Sequence, residues 1–196
     1  MKIKFILLFV LSLLFSGCGH MSSFNSIEGK LLNEEHYATI NDIDYQSGES
    51  TAFGVGLTNK VKQKSNGGFS FDYSIYPDLS YESSELVTHN STVSEVNKKL
   101  DMNRVSMFYS LRGIMFSPVG TFEIDVGAGL SYFDAYNDQT QTGKVEPTFR
   151  YEGTYTLFLL PRLYSAVSFT FQESSKGTYS EYYSMVYKLG FLFGGQ

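Results

Sequence analysis

The chain has 196 residues, of which 42% are hydrophobic and 18% charged, and its formal net charge is −5 at pH 7. This length predicts one domain, and a mean hydropathy of −0.13 excludes a multi-span helical membrane protein, which would need several apolar runs of about 20 residues. The aromatic residues are 17 Phe and 15 Tyr without Trp, and they accompany 18 Gly and only 4 Pro, which favours strands and turns over helices.

The first 17 residues have the three parts of a secretory signal peptide. Lys2 and Lys4 form a positive start, an apolar stretch follows to Phe15, and small residues come next. The apolar stretch is short for a bilayer span and no stop-transfer pattern follows it, so an uncleaved anchor is the less favoured interpretation. We expect residues 1–17 to be removed and the remaining chain, with a formal charge of −7 after the loss of two lysines, to leave the cytoplasm.

Cys18 is the only cysteine, which excludes an intrachain disulfide. The segment Leu14-Phe15-Ser16-Gly17-Cys18 resembles the lipobox of bacterial lipoproteins, although Phe15 stands where that family has an aliphatic residue. The resemblance implies that Cys18 is the first mature residue and carries acyl chains. Gly19 is not the Asp that retains many such lipoproteins in the inner membrane. Ordinary cleavage near Cys18 is the alternative.

After the signal peptide we expect a linker over residues 18–32 and one β-barrel domain over residues 33–196. Seven segments of that domain alternate apolar and polar residues with the period of a strand. An eighth strand is expected between Asn33 and Tyr45, where the alternation loses phase. The seven segments are 53–58, 69–76, 105–112, 122–133, 149–157, 167–172 and 183–193.

Each segment has one apolar face. Every second residue from Tyr183 to Phe193 is apolar or aromatic, and the apolar face that starts at Phe122 lies opposite Glu123 and Asp125. The connections around 117–120 and 160–162 are short and 60–68 is moderate, whereas 81–103, 134–146 and 173–180 are longer and polar. This alternation predicts an up-and-down meander with short turns and both termini at one end.

Strands with an apolar outer face, aromatic residues and alternating short and long connections are typical of a transmembrane barrel. Over residues 33–193 the sequence resembles the small eight-stranded outer-membrane barrels of the OmpA, OmpX and OmpW type. Its segment 187–193 is similar to the C-terminal assembly signal of those proteins, although residues 194–196 follow the last Phe and the chain has no Trp. The resemblance implies an all-β, antiparallel, transmembrane barrel in the Gram-negative outer membrane, with the N-terminus periplasmic. Its implied partners are outer-membrane lipid and the barrel-assembly machinery.

The interior of an eight-stranded barrel is filled by side chains. We expect a charge network there, because unpaired buried charges would cost several kcal/mol each. A gated ion path, or a catalytic carboxylate pair at Glu123 and Asp125, is the less favoured alternative. The expected members of the network are Asp72, Arg112, Glu123, Asp125, Arg150, Glu152 and Lys188.

No catalytic residue, metal or cofactor is expected. His89-Asn90-Ser91 resembles the His-x-Ser pair of outer-membrane lipid A deacylases, but that pair lies on a late strand and this one in a loop. The sequence has no Cys/His cluster, EF-hand loop or phosphate-binding glycine motif. Lys60, Lys62 and Lys64 are expected to form a solvated connection, and the negative net charge argues against nucleic-acid binding.

These observations favour a non-enzymatic outer-membrane barrel lipoprotein with a structural or surface-interaction role, whose surface partner the sequence does not identify. One alternative is a lipid-tethered, soluble periplasmic barrel that resembles lipocalins and binds an apolar ligand. That alternative requires the apolar faces to point inward. An outer-membrane lipid-modifying hydrolase is the third possibility.

Overall fold

The computed structural model describes residues 24–40, 43–48, 51–61, 70–88, 99–137, 141–174 and 181–193. The signal peptide, Cys18, Lys62, Lys64, the triplet at 89–91 and residues 194–196 lie outside this part of the chain. The described elements are β1 (Ser26–Ile40), β2 (Ile43–Ser47), β3 (Ala52–Thr58), β4 (Ser70–Thr88), β5 (Lys99–Ser117), β6 (Gly120–Tyr136), β7 (Gln141–Phe158), β8 (Leu163–Ser174) and β9 (Glu181–Leu192). No helix within these ranges is long and apolar enough to cross a membrane.

The strands form a closed antiparallel barrel. β2 and β3 both pair with β1 and β4, so together they make the second strand of the wall. β1 pairs with β9 from Ser26 opposite Leu192 to Tyr37 opposite Glu181, which closes the sheet. The wall therefore has eight strands in up-and-down order, and the predicted fold class is confirmed.

The predicted outward faces are the exposed ones. Ile124 is 58% exposed, Phe169 64% and Leu189 57%, whereas the alternate residues of the same strands are buried. The apolar side chains therefore point away from the barrel axis and the polar ones toward it. This arrangement contradicts the lipocalin-like alternative, which needs the opposite orientation.

The first strand begins earlier than predicted. It starts at Ser26 rather than Asn33, because residues 26–32, which were expected to be linker, pair with β3 on one side and with β9 on the other. Ile27 and Leu31 face outward and Glu28 and Lys30 inward, so the period-2 pattern extends through this segment.

Strands also replace much of the predicted long loops. β4 continues to Thr88 and β5 begins at Lys99, and these strands pair as far as Val87 opposite Lys99. β6 and β7 pair up to Tyr136 opposite Gln141. The connections 118–119 and 159–162 lie at the end of the barrel where β1 begins and β9 ends, as predicted. Eleven residues separate β3 from β4 at that end.

Candidate functional site in the barrel interior

The alternation of each strand directs one row of side chains into the barrel, where most of the expected charges lie. Arg112, Glu123, Asp125, Arg150 and Lys188 are each less than 10% exposed. The side chain of Glu152 is 9% exposed and faces the same interior. Asp72 lies on β4, and its side chain is outside those that the structure describes.

One chain of alternating charges runs through the interior along nine side chains. In order they are Glu34, Arg104, Glu82, Lys30, Glu28, Lys188, Glu152, Arg150 and Asp78. The N–O distance is 2.8 Å between Arg150 and Asp78, 3.5 Å between Lys30 and Glu82, and 3.7 Å from Glu28 to Lys188. Arg104 and Glu82 also form a hydrogen-bonded ion pair. Each charge thus has an opposite neighbour in a poorly hydrated space, as buried ions require.

A second group of charged side chains is centred on Glu123. It lies nearer the terminal end of the barrel, which is the end where β1 begins and β9 ends. Arg112 donates a hydrogen bond to Glu123 Oε2 at 3.0 Å, and Lys60 Nζ lies 3.1 Å from Glu123 Oε1. Thr156 donates to the same carboxylate at 3.1 Å. Arg112 also donates to the carbonyl oxygen of Asn59 at 2.6 Å.

Lys60 is buried, which corrects the prediction that it belongs to a solvated connection. The side chain of Asn25 forms two hydrogen bonds with the backbone of Lys60. Asn25 Nδ2 donates to the Lys60 carbonyl at 2.9 Å, and the Lys60 amide donates to Asn25 Oδ1 at 2.8 Å. These bonds fold the chain after β3 back into the barrel. The side chain of Lys60 therefore closes the interior from the terminal end.

Glu123 and Asp125 are not arranged as a catalytic pair. Glu123 is bound by two cations, whereas Asp125 accepts a hydrogen bond from the Tyr76 hydroxyl at 2.9 Å. The interior cavity lined by Lys30, Glu82 and Arg150 has a volume of about 10 Å³. That volume holds about one water molecule, whereas ligand sites usually measure about 300–1,000 Å³. Across the described ranges, no group of three or more His, Cys, Asp or Glu could hold a metal ion.

Sequence reasoning missed seven of the twelve described members of the network. Its missed members are Glu28, Lys30, Glu34, Lys60, Asp78, Glu82 and Arg104. Asp78 and Glu82 continue the period of segment 69–76, and Arg104 continues that of 105–112, so extending the alternation would have found them. Lys60 carries no such signal because it follows the end of a strand.

The outer surface divides the wall into two regions. The apolar band is the part whose outward residues are apolar, as from Phe122 to Leu130 on β6 and from Phe149 to Leu157 on β7. Each of these stretches is nine residues long, and a tilted strand of about 9–11 residues spans a bilayer. Beyond it, Asn103 bonds to the hydroxyls of Tyr81 and Tyr136, and Asp101 is exposed.

The loop-end extension is the part of the wall beyond this band, formed by residues 37–40, 43–47, 84–88, 99–103, 132–136 and 141–146. Its interior is mainly apolar, and the buried Glu146, which accepts a hydrogen bond from Ser174, is the charged exception within these ranges. The buried cluster there consists of Ala38, Ile40, Tyr45, Leu86, Leu100, Met102, Phe133 and Ala135. Among the described residues, the barrel interior is therefore charged within the band and mainly apolar at the loop end.

Neither a protein-family model nor a curated protein matches the sequence. Among solved structures, Neisserial surface protein A is similar, with a TM-score of 0.52 and 7% identity over 86% of this chain and 96% of that one. Ail, the attachment invasion locus protein of Yersinia pestis, has a TM-score of 0.45 and 9% identity over 87% and 99% of the two chains. The N-terminal β-barrel domain of Pseudomonas aeruginosa OprF has a TM-score of 0.40 and 12% identity over 86% and 97%. At these identities, the similarity to the Neisserial protein supports the fold alone, a small closed antiparallel β-barrel.

Proposed function

We propose that the chain is a β-barrel lipoprotein of the Gram-negative outer membrane with a non-enzymatic role in envelope structure or surface interaction. The observation that carries this proposal is the orientation of the side chains in the barrel wall, which is opposite to that of a soluble barrel. A continuous apolar band lies outside and a charge network lies inside. Soluble monomers rarely expose apolar patches larger than a few hundred Å². Within a bilayer, the same band is favourable, and only a helix or a closed barrel satisfies all backbone hydrogen bonds there.

The topology follows from the two ends of the barrel. Ser26 and Leu192 are paired, so both termini lie at the end with the two tight turns. In bacterial membrane barrels the short turns are periplasmic and the longer connections external. We place the loop-end extension outside the cell, and we assign recognition by the assembly machinery to β9, whose outward face is apolar.

The non-enzymatic role is supported by the state of the interior charges. Glu123 and Glu152 are each bound by cations, and the interior cavity has room for about one water. A general acid or base needs a substrate within hydrogen-bonding reach. The interior cavity that the described residues line has no room for a substrate.

Acylation of Cys18 remains a proposal from the sequence. Because β1 begins at Ser26, only residues 19–25 separate the acylated residue from the barrel, and they span at most about 25 Å when extended. The lipid and the terminal end of the barrel therefore face the same leaflet. Cys18→Ser should abolish incorporation of radiolabelled palmitate and leave the protein in the outer membrane. If wild type incorporates no palmitate, the lipoprotein assignment is wrong.

The membrane assignment is tested by two measurements on wild-type membranes. Unboiled protein should migrate differently from boiled protein on a gel, because a folded barrel resists unfolding by detergent. The protein should also stay in the pellet after carbonate extraction. Complete release by carbonate would contradict an integral barrel, and release of only the Cys18→Ser variant would show that the lipid is the sole attachment.

The proposed orientation is tested with protease on intact cells. The segment between Thr88 and Lys99 connects the two longest strands at the loop end. It should be cut in intact cells, whereas the connections at 118–119 and 159–162 should be cut only after the outer membrane is opened. The reverse order would invert the topology.

A further inference from the structure

An open groove lies on the outer surface of the apolar band, across β6 to β9 and β1. Its volume is about 590 Å³, within the range of about 300–1,000 Å³ that ligand sites usually have. Gly153 forms the floor, because a Cβ built on it meets no heavy atom within 4 Å. Phe169 and Met185 continue the floor, since they share one row of the sheet with Gly153. The missing side chain at Gly153 therefore leaves a depression in an apolar surface.

Three aromatic rings form the wall of the groove on its loop side. Tyr151, Phe171 and Tyr183 are cross-strand neighbours on three successive strands. The ring centroids of Tyr151 and Phe171 are 6.0 Å apart and those of Phe171 and Tyr183 are 4.8 Å apart. Such contacts hold the rings in place. The aromatic wall therefore separates the floor of the groove from the loop-end extension.

The opposite side of the groove, toward the terminal end, is more open. The next row of the sheet there has Val167 between Tyr155 and Tyr187. The Tyr155 hydroxyl donates a hydrogen bond to the Val119 carbonyl at 3.4 Å, so this ring leans away from the groove toward the turn at 118–119. Ser165 is the next outward residue of β8 toward the terminal end. Small outward side chains along β8 thus connect the groove with the terminal end of the barrel.

The acylation site proposed at Cys18 is within reach of this opening. β1 begins at Ser26, and residues 19–25 span at most about 25 Å. β8 is the second strand from β1 around the wall, a lateral distance of about 10 Å. Gly153 lies five residues from the end of β7 at Phe158, which is about 16 Å along the strand. Since the hydrocarbon core of a bilayer is about 30 Å thick, an acyl chain of one leaflet reaches this depth.

We propose that the groove holds an acyl chain of Cys18 itself, which enters from the periplasmic leaflet over Ser165 and Val167 and ends over Gly153. The inference rests on the proposed acylation and on the proposed periplasmic position of the terminal end. The direction of the opening selects the leaflet, because the aromatic wall lies on the external side of the floor. The tether selects the chain, because it keeps the acyl chains of Cys18 beside the opening while membrane lipids diffuse away. The lipid anchor then packs against the wall of its own barrel.

The wild-type protein tests the proposal in cells that are fed a palmitate analogue with a photoreactive diazirine near the end of its chain. After irradiation, cyanogen bromide cleaves the protein after its methionines. Fragment 18–21 then carries the acyl chains of Cys18, and fragment 116–185 carries the floor of the groove. A chain on Cys18 that reacts with the floor joins these two fragments, whereas a membrane phospholipid adds only itself to fragment 116–185. Mass spectrometry distinguishes the two products and locates the linked residue.

We expect the two fragments to be joined at the floor of the groove, in protein that migrates as a monomer before cleavage. Gly153→Leu should abolish this link, because the new side chain fills the floor. Gly113→Leu is the matched control and should keep the link, because Gly113 is equally open and lies outside the groove. Val167→Phe should also abolish the link by closing the entry, whereas Val105→Phe on β5 should keep it. Heat-modifiable migration of each variant checks that its barrel is folded.

Fragment 18–21 joined only to other parts of the wall would overturn the proposal, as would a link to the floor that survives Gly153→Leu. A phospholipid linked to the floor, with the chain of Cys18 linked elsewhere, would assign the groove to a membrane lipid and equally overturn it. A cross-linked dimer would assign the groove to the anchor of a second copy, with the same consequence. If fragment 18–21 of the wild type carries no analogue, the lipoprotein assignment itself is wrong and the inference fails with it. The failure of the groove and the failure of the proposed function are therefore distinguishable.

Discussion

Within the apolar band, the charged side chains of the barrel lie inside and the apolar ones outside, whereas in the loop-end extension most apolar side chains lie inside. Arg112 and Glu123 are buried in the first region, and Leu100 and Phe133 in the second. The wall is continuous between them, since β5 and β6 pass through both regions without a break. The backbone geometry is therefore the same, and only the surroundings differ.

On the proposed membrane location, the solvent around the wall decides which face of a strand is apolar. In lipid, an outward apolar side chain costs nothing and the interior can be polar only if its charges are paired. In water, the hydrophobic effect favours burial of the apolar face, as in a soluble barrel. The boundary in side-chain polarity thus marks where the proposed bilayer ends.

The largest expected effect comes from breaking the charge network inside the band. Arg112→Met removes a cation that binds Glu123 and the Asn59 carbonyl, and it should lower the free energy of unfolding by about 3–5 kcal/mol. Arg162→Met, at an exposed turn, should change nothing measurable. Equilibrium unfolding in denaturant from vesicles measures both. If the two variants unfold alike, the interior charges of the band are not paired in the way described.

The apolar core of the extension should respond to loss of volume. Leu100→Ala removes a side chain that is 1% exposed, and it should lower the free energy of unfolding by about 2–5 kcal/mol. Val145→Ala, on the water-facing side of the same region, should stay within about 0.5 kcal/mol. The same unfolding assay compares them. If Val145→Ala lowered the free energy of unfolding as much as Leu100→Ala, the extension would have no apolar core.

A charge introduced on the outer face should distinguish lipid from water directly. Val126 in the band is 49% exposed and Val145 in the extension 51% exposed, so the two positions differ mainly in their surroundings. Val126→Arg should lower stability in vesicles by about 2–4 kcal/mol, and Val145→Arg by about 0–1 kcal/mol. Equal effects at the two sites would contradict the placement of the band.

The smallest effect concerns single hydrogen bonds. Tyr76→Phe removes the hydroxyl that donates a hydrogen bond of 2.9 Å to the buried Asp125. The change should lower the free energy of unfolding by about 1–3 kcal/mol. Tyr81→Phe removes an exposed bond to Asn103 at the edge of the band and should cost no more than about 0.5 kcal/mol. Unfolding of both variants in vesicles ranks them, and a reversed ranking would show that Asp125 has another donor.

The same change of surroundings explains where sequence reasoning succeeded and where it failed. Apolar alternation was followed along segments 122–133 and 183–193, and the structure confirms those faces. Residues 81–88 and 99–103 were interpreted as loop because their outward residues are polar, although the strands continue through them. The predicted strand between Asn33 and Tyr45 lost phase after Ile40 for a different reason. It covers parts of two strands, β1 and β2, which pair with each other from Tyr37 opposite Gln46 to Ile40 opposite Ile43.

Other features depend on contacts between distant residues. The alternation placed Arg112, Glu123 and Lys188 inside, but their partners follow from the register of neighbouring strands, which a single sequence does not state. Lys60 enters the interior only because Asn25, 35 residues earlier, holds its backbone there. The start of β1 at Ser26 likewise depends on pairing with β3 and β9.

The sequence by itself determined the fold class and the orientation of the strands within the band, because a period of two and an apolar outer face are local properties of each segment. Only the tertiary structure decided which charges pair, where the apolar core of the extension begins and that Gly153 lies open between Ile124 and Phe169. Those features are set by closure of the barrel, which brings together residues from strands that the sequence keeps far apart.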